Sequence, residues 1–440
     1  MVLTGRTAAI AVLVVLPIVV SDSPAMTFWI CLAALAAAVG LDAALAGRVT
    51  GLRIIRSGLP STRLGITVET VLHVTNDGPR RVRGSLRDAW PPSAVATPRT
   101  HDIDFRPGAS VRLATALRPV RRGELHCATV AVRAIGPLGL AGRQRNVTVP
   151  GTVRVLPPFL SRKHLPSRLA RLREIDGQLP ALIRGQGTEF DSLREYVVGD
   201  DVRAIDWRAT ARRSDVVVRT WIPERDRRVV IVVDTGRTSA GRVGVDPTAL
   251  DPSGWPRLDW SLDAALLLAA LVSRAGDHVD FLAFDRVTRA AVVGVGRTEL
   301  LAQLVEAMAP LEPALMESDA SGMVAAIRRR VRRRALVVLL TDLNPSALDE
   351  GLMPVLGQLT SRHQVIVAAV SDPRIDDMCS GRGDAAEVYD AAAAERARSD
   401  RHAAAAALRA AGAEVVDASP TNLAAALADR YLAMKAAGRL

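Results

Sequence analysis

The sequence predicts a membrane-anchored multidomain chain: an N-terminal transmembrane helical hairpin, an antiparallel β-sandwich, and an α/β domain with a mainly parallel sheet. Three observations carry this expectation. Residues 8–20 hold no polar side chain, and residues 26–46 hold only Thr27 and Asp42. Residues 51–158 break into short alternating runs divided by turn residues, and beyond residue 228 continuous apolar runs alternate with amphipathic ones. A chain of 440 residues also exceeds what one hydrophobic core supports, so several domains are expected.

Residues 1–50 are assigned to the hairpin. As helices the two apolar runs span about 20 and about 31 Å, and the second suffices for a hydrocarbon core about 30 Å thick. A tight turn through residues 21–24 joins them. A cleavable signal peptide fits the first run as well, with Arg6 as its charged start and Ser23-Pro24-Ala25 as a cleavage site. The immediate second run, and Arg6 on the basic side, favour the uncleaved hairpin. Arg48, Arg53 and Arg56 follow it, so the positive-inside bias places the body of the chain in the cytoplasm, beneath the cell membrane. Asp42 lies near that boundary and is expected to reach the lipid headgroups.

Residues 51–158 read as a β-sandwich. Alternating runs such as Ile66 to Val74, Val111 to Leu113 and Thr129 to Val132 are separated by Asn76-Asp77-Gly78-Pro79, Pro91-Pro92 and Pro107-Gly108. His73, His101 and His126 lack metal-ligand spacing and are expected to be ordinary strand or loop residues. Residues 159–186 form a basic, helix-prone connector, with Arg168, Arg171 and Arg173 among Leu165, Leu169 and Leu172. It is expected to pack on the body.

Residues 228–440 carry the α/β pattern. Strands are expected at 229–233, 278–284, 335–340, 364–370 and 414–416, with helices at 258–275, 299–308, 323–332 and 423–437. Apolar strands joined by helical crossovers imply a parallel sheet covered on both faces, and ligands bind such sheets at the carboxyl ends of the strands. Asp234 and Asp342 fall there. The loop Asp234-Thr235-Gly236-Arg237-Thr238 resembles the Asp-x-Ser-x-Ser loop of von Willebrand factor A domains, whose carboxylate and hydroxyls help hold Mg²⁺. That resemblance makes Asp234, Thr238 and Asp342 a candidate, degenerate adhesion-type metal site. Gly236 stands where the first serine belongs, and Arg237 adds an opposing charge.

The net charge of +11 rests almost wholly on arginine, with lysine only at Lys163 and Lys435. Arginine and alanine together reflect composition rather than a nucleic-acid interface, and no specific nucleic acid is expected. The six arginines between Arg328 and Arg334 close a helix, where cations are favourable; a docking patch for an acidic partner is the alternative. Cys31, Cys127 and Cys379 offer neither a zinc spacing nor a disulfide framework. Neither lysine lies in a P-loop, and the zinc-protease and nucleophile-elbow motifs are missing from the sequence.

Residues 187–227 stand apart. They pack Glu189, Asp191, Arg194, Glu195, Asp200, Asp201, Arg203, Asp206, Arg208, Arg212 and Arg213 around Phe190, Tyr196 and Trp207, in a chain with few aromatics. The expectation is a junction between domains, anchored by the aromatics and fixed by Arg–carboxylate pairs. An alternative is a metal-dependent hydrolase or nuclease that uses Asp200, Asp201 and Asp206.

The order Glu189, Phe190, Leu193, Arg194, Glu195, Tyr196, Gly199, Asp200, Arg203, Ile205, Asp206 and Trp207, then Ala211-Arg212, resembles the signature of domain-of-unknown-function family 58. The resemblance implies a von Willebrand A-like, membrane-anchored protein. Such a protein acts without catalysis of its own, beside a MoxR-type AAA+ ATPase, in the assembly or activation of client proteins.

Overall fold

The computed structural model describes residues 2–58, 61–178, 189–197, 202–212, 215–222, 227–244 and 254–440. They divide into two compact units, residues 1–156 and 157–440.

The first unit opens with the expected helical pair. Helices Gly5–Leu13 and Val15–Val20 form one apolar arm, and Pro24–Leu45 returns as the other. The segment Pro24–Gly51 is long and apolar enough to cross a membrane. Behind the helices two antiparallel sheets enclose one core. One sheet runs through Ala141–Leu156, Gly123–Ile135, Val82–Asp88 and His101–Phe105, and the other through Leu52–Gly58, Val68–Asn76 and Ser110–Leu117. The alternating side chains meet between them: Leu72 and Val74 from one sheet face Leu86, Phe105, Val130 and Val132 from the other. The three histidines bond hydroxyls as strand residues would: His73 to Ser57 and His126 to Thr152 on adjacent strands, and His101 to Thr115 of the other sheet.

Asp42 corrects one expectation. It is fully buried, and does not reach for headgroups. Its Oδ1 accepts the backbone N–H of Leu138 at 2.7 Å, while Oδ2 accepts those of Leu140 and Ala141 at 2.7 and 2.9 Å. The turn at residues 136–141 leaves these donors without strand partners, and a carboxylate satisfies all three at once. Gly136 is required here, because a side chain would collide with the Asp42 carboxylate and carbonyl. Arg143 and Arg80 donate to the carbonyls of Ala43 and Ala44, capping the helix end. The start of the first arm is tied to the same turn: Thr4 Oγ1 donates to Gly139 O at 2.6 Å, the Thr7 hydroxyl to Leu140 O. Both feet of the hairpin therefore stand on one side.

Arg56 is also used differently from expectation. Its guanidinium is buried in a bidentate pair with Asp88, at 2.8 Å for both bonds, and lies over the Trp90 ring. Trp90 Nε1 donates to the same carboxylate at 2.8 Å. The charge that the sequence places at the membrane edge thus belongs to the β core, because a buried aspartate requires it.

The second unit is the α/β body. Its strands are β1 (Arg228–Asp234), β2 (His278–Phe284), β3 (Thr288–Val292), β4 (Leu336–Leu340), β5 (Gln364–Val370) and β6 (Glu414–Ala418), in spatial order 3-2-1-4-5-6. All pairs are parallel except β2 with β3. Helices α1 (Arg257–Arg274) and α6 (Pro420–Ala436) pack together over one face, with α2 (Leu300–Met308) against α1. The other face is covered by α3 (Ala320–Arg330), α4 (Met353–Thr360) and α5 (Ala385–Ala410), whose Val324, Ile327, Leu356 and Leu408 join Val230, Val232, Val337 and Val367. Alternate residues of β1 and β4 thus serve opposite layers, which explains their continuous apolar text. The antiparallel edge β3 and the Ala-rich α5 extend the pattern beyond the expected elements. The connector helix Leu165–Gln178 packs on this unit through buried Leu172 and an Arg168–Asp429 pair at 2.9 Å.

Candidate functional site

The carboxyl ends of β1 and β4 meet at Asp234. Register places Val233 beside Leu340, so the next residues, Asp234 and Thr341, are neighbours. Asp234 is buried, and each carboxylate oxygen receives two donors. Oδ1 accepts from Gly236 N at 2.8 Å and Ser318 Oγ at 2.5 Å. Oδ2 accepts from Thr341 Oγ1 at 2.8 Å and Thr238 Oγ1 at 3.3 Å.

Ser318 explains Gly236. A Cβ at position 236 would collide with the Ser318 hydroxyl, so the hydroxyl missing from the loop is supplied from a segment more than eighty residues away. Sequence spacing could not reveal it. Alongside, Asp285 at the end of β2 is fully buried and accepts from Thr235 Oγ1, the N–H groups of Arg286 and Val287, and Arg289 Nε at 2.7 Å. Burial pushes the Asp285 carboxyl up, but Arg289 and the backbone donors outweigh it and hold the group below its usual range.

Asp342, expected to complete a cation site, faces arginines. Its Oδ1 lies 2.8 Å from Arg401 Nη1 and 3.5 Å from Arg257 Nε. Arg401 also forks onto Asp417, with both bonds at 2.8 Å, and donates to Val370 O. Burial of Arg401 opposes its charge, but the two aspartates raise its pKa overall. The donor set therefore does not fit an adhesion-type Mg²⁺ as arranged. Four donors already fill the lone pairs of Asp234, and the second carboxylate stands between two guanidiniums that repel a dication. Asp234 and Thr238 are together, as the sequence reading placed them, within a hydrogen-bonded lock rather than an open coordination sphere.

The signature stretch forms a separate antiparallel hairpin of Glu189–Glu195 with Val217–Ile222. Glu189 and Phe190 contribute backbone to its first strand, followed by Leu193, Arg194 and Glu195. Tyr196 N donates to Val216 O at 2.8 Å, closing the ladder. Arg203 lies in a short helical turn, Val202–Ala204, and Ile205 bridges to Val218. Asp206 caps the helix Trp207–Thr210, its Oδ1 accepting from Arg208 N and Ala209 N, both at 3.0 Å. Arg212 follows in the turn. Gly199, Asp200, Asp201 and Arg213 lie outside the described residues.

Trp207 corrects the picture of a buried anchor. It is 68% exposed, and Val197 and Val202 are exposed with it. The four-residue helix that it opens buries none of its residues, so the ring has no interior to enter. Its apolar surface is displayed.

A family model described as "Protein of unknown function DUF58" matches residues 192–419. An uncharacterised protein of Mycobacterium tuberculosis is 29% identical over 212 residues, 46% of this chain and 62% of its own length. This chain therefore spans less than two thirds of that relative. An uncharacterised protein of Bacillus subtilis is 26% identical over 140 residues, 32% of this chain and 35% of its own. Among solved structures, the CARDB domain of PF1109 from Pyrococcus furiosus matches at 15% identity and a TM-score of 0.19, covering 24% of this chain and 94% of that one. A GH20 exo-β-N-acetylglucosaminidase from Vibrio harveyi matches at 10% identity and a TM-score of 0.22, covering 83% and 75%.

Proposed function

Because the chain belongs to the DUF58 family, we propose that it is a membrane-tethered adaptor that works without catalysis of its own, beside a MoxR-type AAA+ ATPase, in the assembly or activation of client proteins. The observation that carries this reading is the display of Trp207, Val197 and Val202 on the signature hairpin. A large exposed aromatic in a stretch that also exposes valines and charged residues is the composition of a docking hot spot, where one such anchor dominates affinity.

The body supports a von Willebrand A-like reading through its 3-2-1-4-5-6 order and the acidic loop at the end of its central strand. Adhesion-type recognition through a divalent ion is replaced here by the Asp234–Ser318–Thr341 lock, which presents a preformed loop surface. The hairpin Gly5–Leu45 would tether the body to the cytoplasmic face of the cell membrane, with both feet on the side of the β domain.

Crosslinking in intact membranes followed by affinity capture of the full chain tests the proposal. An AAA+ ATPase should be recovered, and Trp207→Ala should reduce its recovery by about tenfold or more without lowering the melting temperature of the chain. Recovery of no ATPase under crosslinking would sink the reading. Mg²⁺- or Mn²⁺-dependent hydrolysis by the pure protein, lost in Asp206→Asn, would replace it with the enzyme reading.

A further inference from the structure

We propose that a cavity at the amino ends of β4 and β5 binds the phosphate group of a soluble, phosphorylated small molecule. The cavity is half open to solvent, with a volume of about 540 Å³, and is lined by Arg328 and Arg329 of α3 and by Gln358, Ser361, Arg362 and His363 around the end of α4. It lies at the opposite end of the sheet from the Asp234 loops, and so stands independently of the docking proposal.

Two observations point to an anion. Three guanidinium side chains line one cavity whose lining includes no carboxylate. Arg328 is steered by Gln358, whose Oε1 accepts from its Nη1 at 2.8 Å. Like charges gathered this way repel unless a counter-charge enters. The second observation is His363. It is only 3% exposed, and neither ring nitrogen has a hydrogen-bond partner among the described residues. A buried ring with both nitrogens unsatisfied is rare, because burial removes water without replacing it. Neither nitrogen is exposed to the cavity as the ring stands, so an entering acceptor oxygen would satisfy its N–H only when the ring turns toward it. Burial, then Arg362 and Arg328, hold its pKa below the usual histidine value, which favours the neutral ring in the empty cavity.

A phosphate group fits better than a carboxylate. It brings up to two charges and three acceptor oxygens to several guanidinium forks, whereas a carboxylate brings one charge and two oxygens. The volume falls within the range of about 300–1,000 Å³ typical of small-molecule sites, leaving room for an organic body beyond the phosphate. The arginine run thus divides by position: Arg328 and Arg329 line the cavity, while Arg332 and Arg334 do not.

Isothermal titration of the full chain in nonionic detergent, with inorganic phosphate, pyrophosphate and ADP as probes, tests the proposal. Pyrophosphate or ADP should bind, and Arg329→Gln or Arg362→Gln should weaken binding by about tenfold or more. Both arginines are solvent-exposed, so these variants should fold. Arg332→Gln and Arg334→Gln remove the same charge outside the cavity and should leave affinity within about twofold. His363→Gln tests the buried donor and should also weaken binding. The assignment is overturned if none of the probes binds, or if the control variants lose as much affinity as the cavity variants. Binding to phosphatidylglycerol vesicles without binding of the soluble probes would overturn it too, naming a lipid headgroup instead.

Discussion

Asp42→Ala gives the sharpest test of how the hairpin is joined to its β domain. The substitution removes the acceptor of three backbone donors, held at 2.7, 2.7 and 2.9 Å, in a place with no exposure to solvent. A buried donor stripped of its partner costs about 1–3 kcal/mol. Three neighbouring donors that relax partly together therefore lose on the order of 3–5 kcal/mol of local stability. Each 1.4 kcal/mol is about a tenfold change in an opening equilibrium, so amide exchange at Leu138, Leu140 and Ala141 should accelerate by about two to three and a half orders of magnitude. Hydrogen-exchange mass spectrometry on the full chain in detergent would follow the peptide spanning the Gly136 turn. Asp42→Asn should be milder, since an amide oxygen can still accept. The central strands Val68–Asn76 and Gly123–Ile135 should keep their protection in both variants. Unchanged exchange at the turn in Asp42→Ala would refute the reasoning, because those donors would then have found water or other partners.

Three other outcomes follow from the geometry. Gly136→Ala places a methyl group against the Asp42 carboxylate and should reproduce the fast exchange of Asp42→Ala with the acceptor still present. Burial pushes the Asp263 carboxyl up to about 6 from a model-peptide value of 3.8, even though Ser161 N donates to it. Between those values the folded state binds more protons than the unfolded state, so the group's penalty is absent at low pH and grows to about 3 kcal/mol above pH 6. Asp263→Asn should therefore melt higher than the parent at pH 7, with the gain vanishing near pH 4; an equal gain at both pH values would contradict the linkage. Gly236→Ser should lower the melting temperature by overlapping Ser318, and Ser318→Gly in the same chain should restore much of it. Additive losses in that double-mutant cycle would mean that the two positions do not compete for one space.

Features that depend on local text were legible before any fold was known. Apolar length marked the helix Pro24–Leu45, alternation and turn residues marked the strands of the β domain, and continuous apolar runs marked β1, β4 and β5. The signature from Glu189 to Arg212 placed the chain in its family, because that ordering survives without knowledge of the fold. Asp234 and Thr238 could be paired because they stand four positions apart in one loop.

Tertiary structure alone decided the rest. Side chains such as Ser318, Thr341, Arg401 and Asp42 find partners dozens of residues away, and hydrogen-bond geometry carries no trace in spacing. The edge strand β3 is too polar and short to stand out, and α5, almost all alanine and charge, lacks the contrast that periodicity needs. Whether an aromatic is an anchor or a displayed surface is likewise not written in its neighbours: Trp207 sits among charges either way, and only the shallow, capped helix that carries it leaves the ring in solvent.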